Sequence, residues 1–355
     1  MPKVDFLIVG QGLAGSLLAA NLLGREASVL VVDQPSPHSP SRVAAGLVTP
    51  ITGARLKPSW RFPLFQPFAR ERYGQLADQL DLPSPLWNDR PMVRILRDAR
   101  EQAAWARARP LALAHHLLDL ETNPIPTPPG LPADQARFAM AGGAYVDIPA
   151  LLAAVRRLLV SRSSLVEATL LTHELLPSPG HIAWRDVQAR HVIFCSGSLA
   201  APDQLAHLAL RDRRHGDILE LEPSCYGDPT IFHGGAWLVR QCSGRVLAGA
   251  SYRPCPPPPP LPDHQREAAV AELARRAAWL LGAPPPIIAI RSAPRPTLRD
   301  RQAVVGTLPW GGLWQGRAST FNGLGSHGAL RAPLLADALA DALLDRRPID
   351  PALVP

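Results

Sequence analysis

A chain of 355 residues, 46% hydrophobic and 19% charged, carries enough apolar content for two cores, or for one large α/β domain with an insertion. That balance excludes an intrinsically disordered protein. Lys plus Arg number 37 against 30 Asp plus Glu, a net charge of +7, but only Lys3 and Lys57 are lysines, so the excess reads as an arginine bias rather than a nucleic-acid footprint. The densest basic cluster, Arg211, Arg213, Arg214 and His215, is broken by Asp212 and reads as a solvated loop. Cys195, Cys225, Cys242 and Cys255 match neither a paired metal-ligand spacing nor a redox C-x-x-C, which points to a reducing compartment. The apolar stretch from Val4 to Leu23 is broken by Asp5, Gln11, Asn21 and glycines, and no later window could span a bilayer; a cytoplasmic protein without membrane contact is expected.

Val4 to Val9 reads as a β-strand, and Gly10-Gln11-Gly12-Leu13-Ala14-Gly15 then opens an apolar helical pattern through Leu17, Leu18, Ala20 and Leu23. A second β-branched run, Ser28 to Val32, ends in Asp33. Gly10 permits a tight turn, Gly12 lets backbone approach a pyrophosphate, and Gly15 lets the helix pack close to the strand. The N–H groups at the helix start suit phosphates, and Asp33 suits a ribose diol. FAD and NAD both fit this much of the chain.

The next segment, Ser41-Arg42-Val43-Ala44-Ala45-Gly46, resembles the FAD-dependent D-amino-acid oxidase, glycine oxidase and sarcosine oxidase family rather than a third unit of a dehydrogenase. The likeness continues in Gly142-Gly143-Ala144-Tyr145-Val146-Asp147-Ile148-Pro149, then a helix at Ala150 to Val160, a strand at Leu165 to Leu171, and a buried strand from Arg190 to Cys195 ending in Ser196-Gly197. Ala236 to Arg240 and Val246 to Ser251 read as a hairpin about Ser243-Gly244, and Asp263 to Leu281 as a helix. Near the C-terminus, Arg295-Pro296-Thr297-Leu298-Arg299-Asp300 and Asn322-Gly323-Leu324-Gly325-Ser326-His327-Gly328 resemble the family's last two motifs. The final glycine loop is closer to the FAD module of the bifunctional enzymes that make 5-methylaminomethyl-2-thiouridine in tRNA.

The resemblance implies an α/β protein: a Rossmann-like FAD/NAD(P)-binding domain from residues 1–75, 145–215 and 290–355, and an α+β substrate domain on a mixed or antiparallel sheet from 76–144 and 216–289. It implies FAD held without a covalent bond, since no cysteine lies near the final motif. The FAD contacts it implies are Gly10, Gly12, Leu13, Ala14, Gly15, Asp33, Arg42, Ala44, Ala45, Gly46, Cys195, Ser196, Gly197, Asn322, Gly323, Leu324, Gly325, Ser326 and His327.

It also implies oxidation of the C–N bond of a small amine or amino acid by hydride transfer to the flavin, with oxygen or another electron acceptor. Arg295 is then the carboxylate clamp, because its planar fork grips a carboxylate twice; a structural ion pair with Asp300 is the alternative. Trp237 is expected over the substrate, and Lys57 near the flavin. The runner-up function removes a carboxymethyl group from tRNA carboxymethylaminomethyl-uridine, and a third reading is a flavin-binding protein without turnover. Leu64, Phe65, Phe68, Tyr73, Leu76 and Leu80 recur at helical spacing and read as core, while the prolines of 254–262 read as a rigid connector.

Overall fold

The structure is a computed structural model, and it describes residues 2–53, 55–200, 212–255, 263–297 and 302–353. Two large sheets organise it. In the first, the strands Leu165–Glu167, Val29–Asp33, Lys3–Val9, Val187–Phe194 and Ala318–Asn322 run parallel in that order. The antiparallel strand Val304–Thr307 closes one side, and the hairpin Leu176–Ser178/His181–Trp184 extends the other end of Val187–Phe194.

Lys3–Val9 shows why a continuous apolar run was needed. Phe6 and Ile8 face one core with the helices, while Leu7 and Val9 face another with Val32, Trp184 and Phe194. The helix Leu13–Gly24 is correspondingly apolar all round and packs between Ile148–Ser161 and Gly328–Leu344. The helix Phe62–Gln79 lies against Gly328–Leu344 and buries Phe65, Tyr73 and Leu76, as the spacing predicts, while Leu64 is exposed.

The second sheet has the strand order Arg253–Cys255, Asp212–Leu221, Val246–Gly249, Ala236–Arg240, Ile231–Gly234, Met92–Ile95 and Arg137–Met140, with Ile287–Thr297 on the other side of Asp212–Leu221. Its pairs are antiparallel except Ile231–Gly234 with Met92–Ile95, so the expected mixed sheet is found. One face carries Leu219, Phe232, Leu238 and Ala248 under the helix Asp263–Leu281. The other carries Ile218, Ile231, Val239, Leu247 and Ala293, and merges with the helical core of the first sheet.

Several sequence expectations need correction. Residues 212–215 form part of a long paired strand, not a solvated loop, because Ile218 to Leu221 supply the apolar alternation that carries the strand through the basic stretch. The predicted strand from Leu165 stops at Glu167, and the hairpin strand from Val246 stops at Gly249. The lines drawn at 215/216 and 289/290 fall inside strands of the second sheet, and that at 75/76 falls inside a helix. The helix Ala99–Ala114 was not expected; Pro110 inside it and its weak apolar periodicity hide it. Arg211, the prolines 256–262 and Leu298 to Asp300 lie outside the described residues.

Candidate functional site

The glycine loops meet at one edge. Gly10 follows Lys3–Val9, Asp33 ends Val29–Asp33, Cys195-Ser196-Gly197 follows Val187–Phe194, and Gly323 follows Ala318–Asn322. All four stand at the carboxyl ends of neighbouring parallel strands, where an open α/β sheet offers its crevice.

Each loop has a physical reason for its residues. A Cβ on Gly15 would come 1.9 Å from the Gly10 carbonyl oxygen, and one on Gly10 would come 2.7 Å from the Cys195 carbonyl oxygen. The helix Leu13–Gly24 therefore sits directly on the strand ends, with the buried Cys195 as packing; burial pushes its thiol well above the usual range. Gly10 also has φ +103°. Leu13 N–H donates to Ser41 Oγ at 3.0 Å, and the first intrahelical bond is Ser16 N–H to Gly12 O at 2.9 Å. The Ala14 and Gly15 amides precede that bond and have no intrahelical acceptor.

Arg42 lies in the short helix Pro40–Val43, after which Ala44 and the buried Ala45 lead to Gly46. Gly46 has φ +70°, and its carbonyl accepts a hydrogen bond from Val146 N–H at 2.9 Å. Asn322 ties two loops together: its Nδ2 donates to Gly197 O at 3.1 Å, and its Oδ1 accepts from Gly323 N–H at 2.7 Å. Gly197, Gly323 and Gly325 all have positive φ, and a Cβ on Gly197 would meet nothing within 4 Å. Leu324, Ser326 and His327 complete the turn, and His327 O accepts from Leu330 and Arg331 N–H as the helix Gly328–Leu344 begins. Ser196 Oγ is buried beside this turn without a hydrogen-bond partner. An orphaned hydroxyl, left-handed glycines, of which Gly197 faces open space, and two helix starts fit a group that is long, polar and anionic.

On the second sheet, register places Trp237 opposite Gly249, and Gly249 opposite Ile218. The indole lies over Gly249, where an added Cβ would come 2.2 Å from the ring. Arg295, on Ile287–Thr297, lies across Gly216 in the same manner, 2.3 Å from such a Cβ. Both side chains stand on the face that merges with the first core, leaning toward each other over strands floored by glycine. Strand spacing and rise put roughly 8 Å between the backbones of Gly216 and Gly249 beneath the two side chains. Arg295 Nη1 stands 3.5 Å from Ser251 O; burial lowers its pKa, opposed by Tyr252 and Asp217. Its strand packs against Pro40–Val43 and the turn Gly197–Leu199, which brings it to the crevice. Lys57 is exposed on the hairpin Ile51–Thr52/Lys57–Pro58 and bonds to neither Arg295 nor Trp237.

Sequence reading missed the neighbours on this face. Arg94 and His233 are opposite one another, and His233 is opposite Trp237. Arg94 Nη1 donates to His233 Nδ1 at 2.8 Å, and Glu101 takes both Arg94 and Arg97. No local motif announces them, because strand register alone brings them together.

Burial, then the Arg94 charge, pushes His233 down to about 3, and burial pushes His191 down to about 4, opposed by a backbone bond at Gly316. Both are neutral in the fold while an unfolded histidine titrates near pH 6.5. The unfolded chain then binds more protons, so stability falls as pH drops below about 6.5. Asp217 and Glu101 are buried, but their hydrogen-bond donors hold them below the usual carboxylate range, so their loss begins only in more acid solution. Thermal melts from pH 7 to 5 should show a falling Tm, flattened in His233→Gln. A wild-type Tm constant across that window would contradict the assignment.

A parallel sheet that gathers glycine turns and helix starts at its carboxyl edge, with an acid ending the second strand, defines a Rossmann-like dinucleotide-binding protein. The chain belongs to the DAO family of FAD dependent oxidoreductases, whose model matches residues 5–342. Among solved structures, glycine oxidase from Geobacillus kaustophilus is similar at 21% identity and a TM-score of 0.77, over 98% of this chain and 96% of that one. Iminodiacetate oxidase from Chelativorans sp. BNC1 is similar at 20% identity and 0.76, with the same coverage. L-alpha-glycerophosphate oxidase from Mycoplasma pneumoniae, with FAD bound, is similar at 15% and 0.73, over 99% and 97%. Among the described residues, no helix is long and apolar enough to cross a membrane, and no group of three or more His, Cys, Asp or Glu could hold a metal ion.

Proposed function

We propose that this FAD-dependent oxidoreductase oxidises the C–N bond of a small amino acid or amine to an imine, which water then hydrolyses to a carbonyl compound and the free amine. The observation that carries the reading is the Arg295–Trp237 pair on the face toward the crevice, with Gly216 and Gly249 beneath it. Names of similar proteins, glycine oxidase and iminodiacetate oxidase, support the same substrate class.

Bound FAD, held without a covalent bond, supplies the two-electron acceptor. Its adenosine ribose would lie on Asp33, and its phosphates at Gly10, Gly12, Leu13, Ala14 and Gly15. Arg42, Ala44, Ala45 and Gly46 would line its middle, with Cys195, Ser196 and Gly197. Asn322, Gly323, Leu324, Gly325, Ser326 and His327 would present N–H donors and a helix start to the flavin ring. Arg295 fixes the substrate carboxylate with a fork that stays protonated at any working pH, and so orients the C–H bond that breaks. Trp237 walls the far side and keeps water out. Lys57, exposed on its hairpin, is assigned no role in this arrangement.

Incubation with glycine, sarcosine and a panel of D-amino acids, with oxygen or an artificial dye as acceptor, tests the reading through the products. A 2-oxo acid or glyoxylate in step with acceptor reduction is expected. Turnover only with carboxymethylaminomethyl-modified tRNA would instead favour the reading suggested by the Leu324-Gly325-Ser326-His327-Gly328 loop. No product with any of them would overturn both.

A further inference from the structure

Asp33 does not stand alone. Its Oδ1 accepts the Gln11 N–H at 2.9 Å, and Arg156, from the helix Ile148–Ser161, places Nη1 3.6 Å from Oδ2. The same Nη1 donates to Gln11 Oε1 at 3.1 Å, while Nη2 pairs with Glu167. Glu167 is the register partner of Asp33 on the adjoining parallel strand, so two carboxylates at neighbouring strand ends face one guanidinium. Gln11 is itself locked. Its Nε2 donates to Leu152 O at 2.8 Å and Ser16 Oγ at 3.1 Å, which turns its Oε1 toward Arg156.

The distances matter chemically. A ribose diol brings hydroxyl donors, and a carboxylate can receive them only through lone pairs that are still free. At 3.6 Å the Arg156–Asp33 contact is an ion pair but too long for a strong hydrogen bond, so the charge is held while the Oδ2 lone pairs stay open. The Asp33 side chain is 15% exposed and that of Arg156 is 20%, so the pair is shielded from bulk water on most sides yet open to a ligand.

We propose that Arg156 is a positioning residue for the adenosine end of the dinucleotide: bridging Gln11, Asp33 and Glu167, it fixes the Asp33 carboxylate in the orientation that accepts the ribose hydroxyls. The proposal rests on Asp33 being the ribose acceptor. A lysine cannot replace it, since one ammonium does not span three acceptors as a planar fork does.

The test is titration of the apoprotein with FAD and, separately, with ADP, which carries the adenosine end alone. Removing one charged hydrogen-bond partner predicts roughly ten- to hundredfold weaker binding of both ligands in Asp33→Asn, and about tenfold in Arg156→Met. Arg156→Lys should restore little, and the double variant should bind no more weakly than Asp33→Asn alone. A merely structural role would instead make the two losses add in full, and that overturns the proposal, as does unchanged affinity in Arg156→Met. Should Arg156→Met fail to fold, Glu167→Gln keeps the question open to measurement: weaker ADP binding supports the bridge and unchanged binding overturns it. An Asp33→Asn variant with wild-type affinity would overturn the ribose reading beneath the proposal, and neither result depends on amine oxidation.

Discussion

Arg295→Ala is expected to raise KM for carboxylate-bearing substrates by roughly 30- to 5000-fold, the range for removing one member of a buried, hydrogen-bonded charge pair. The flavin is expected to stay bound. The separation follows from placement: Arg295 lies across Gly216 on the second sheet, whereas the loops that would hold FAD stand at the edge of the first. Arg295→Lys should recover only part of the loss, since an ammonium cannot grip both carboxylate oxygens in one plane. Steady-state kinetics with a carboxylate substrate and its amide or decarboxylated analogue checks this, because the analogue never used the clamp. An unchanged KM in Arg295→Ala would remove Arg295 from the site.

Gly15→Ala is expected to abolish FAD binding, although it adds a single methyl group. The new carbon would stand 1.9 Å from the Gly10 carbonyl oxygen, a backbone atom that cannot swing aside. The helix must then lift from the strand, which carries away the amides that would face the phosphates and costs about 1–3 kcal/mol in strained packing. Gly24→Ala is the control on the same helix. An added Cβ there meets nothing within 4 Å, and the substitution should stabilise by up to about 1 kcal/mol through the unfolded chain. Flavin absorbance of the two purified variants, with urea melts, separates them. A yellow Gly15→Ala protein would contradict the close helix–strand approach.

The first sheet was legible in the sequence because its signals are local. Gly10, Gly12 and Gly15 follow a strand at fixed spacing, Asp33 closes the next strand, and the Asn322 to Gly328 loop opens a helix. The helix Asp263–Leu281 was legible for the same reason. What resisted reading is non-local. Arg94 meets His233 across 139 residues, and Arg156 meets Gln11 across 145, and no spacing rule links positions so far apart. The basic stretch before His215 misled because charge was read as solvation, while the strand that contains it is set by pairing on both edges. Trp237 and Arg295 were named from the resemblance, but only strand register explains why they share a face.

The central claim is that a small amine delivers two electrons to FAD within this fold. It is tested most directly by the anaerobic absorbance spectrum of the purified protein, before and after adding glycine, sarcosine, D-amino acids and, separately, carboxymethylaminomethyl-modified tRNA. Wild type is expected to show a visible flavin band that a small amino acid bleaches, and Arg295→Ala to keep that band but bleach only at much higher substrate concentration. A flavin band that no amine or amino acid bleaches, with or without the clamp, would contradict it.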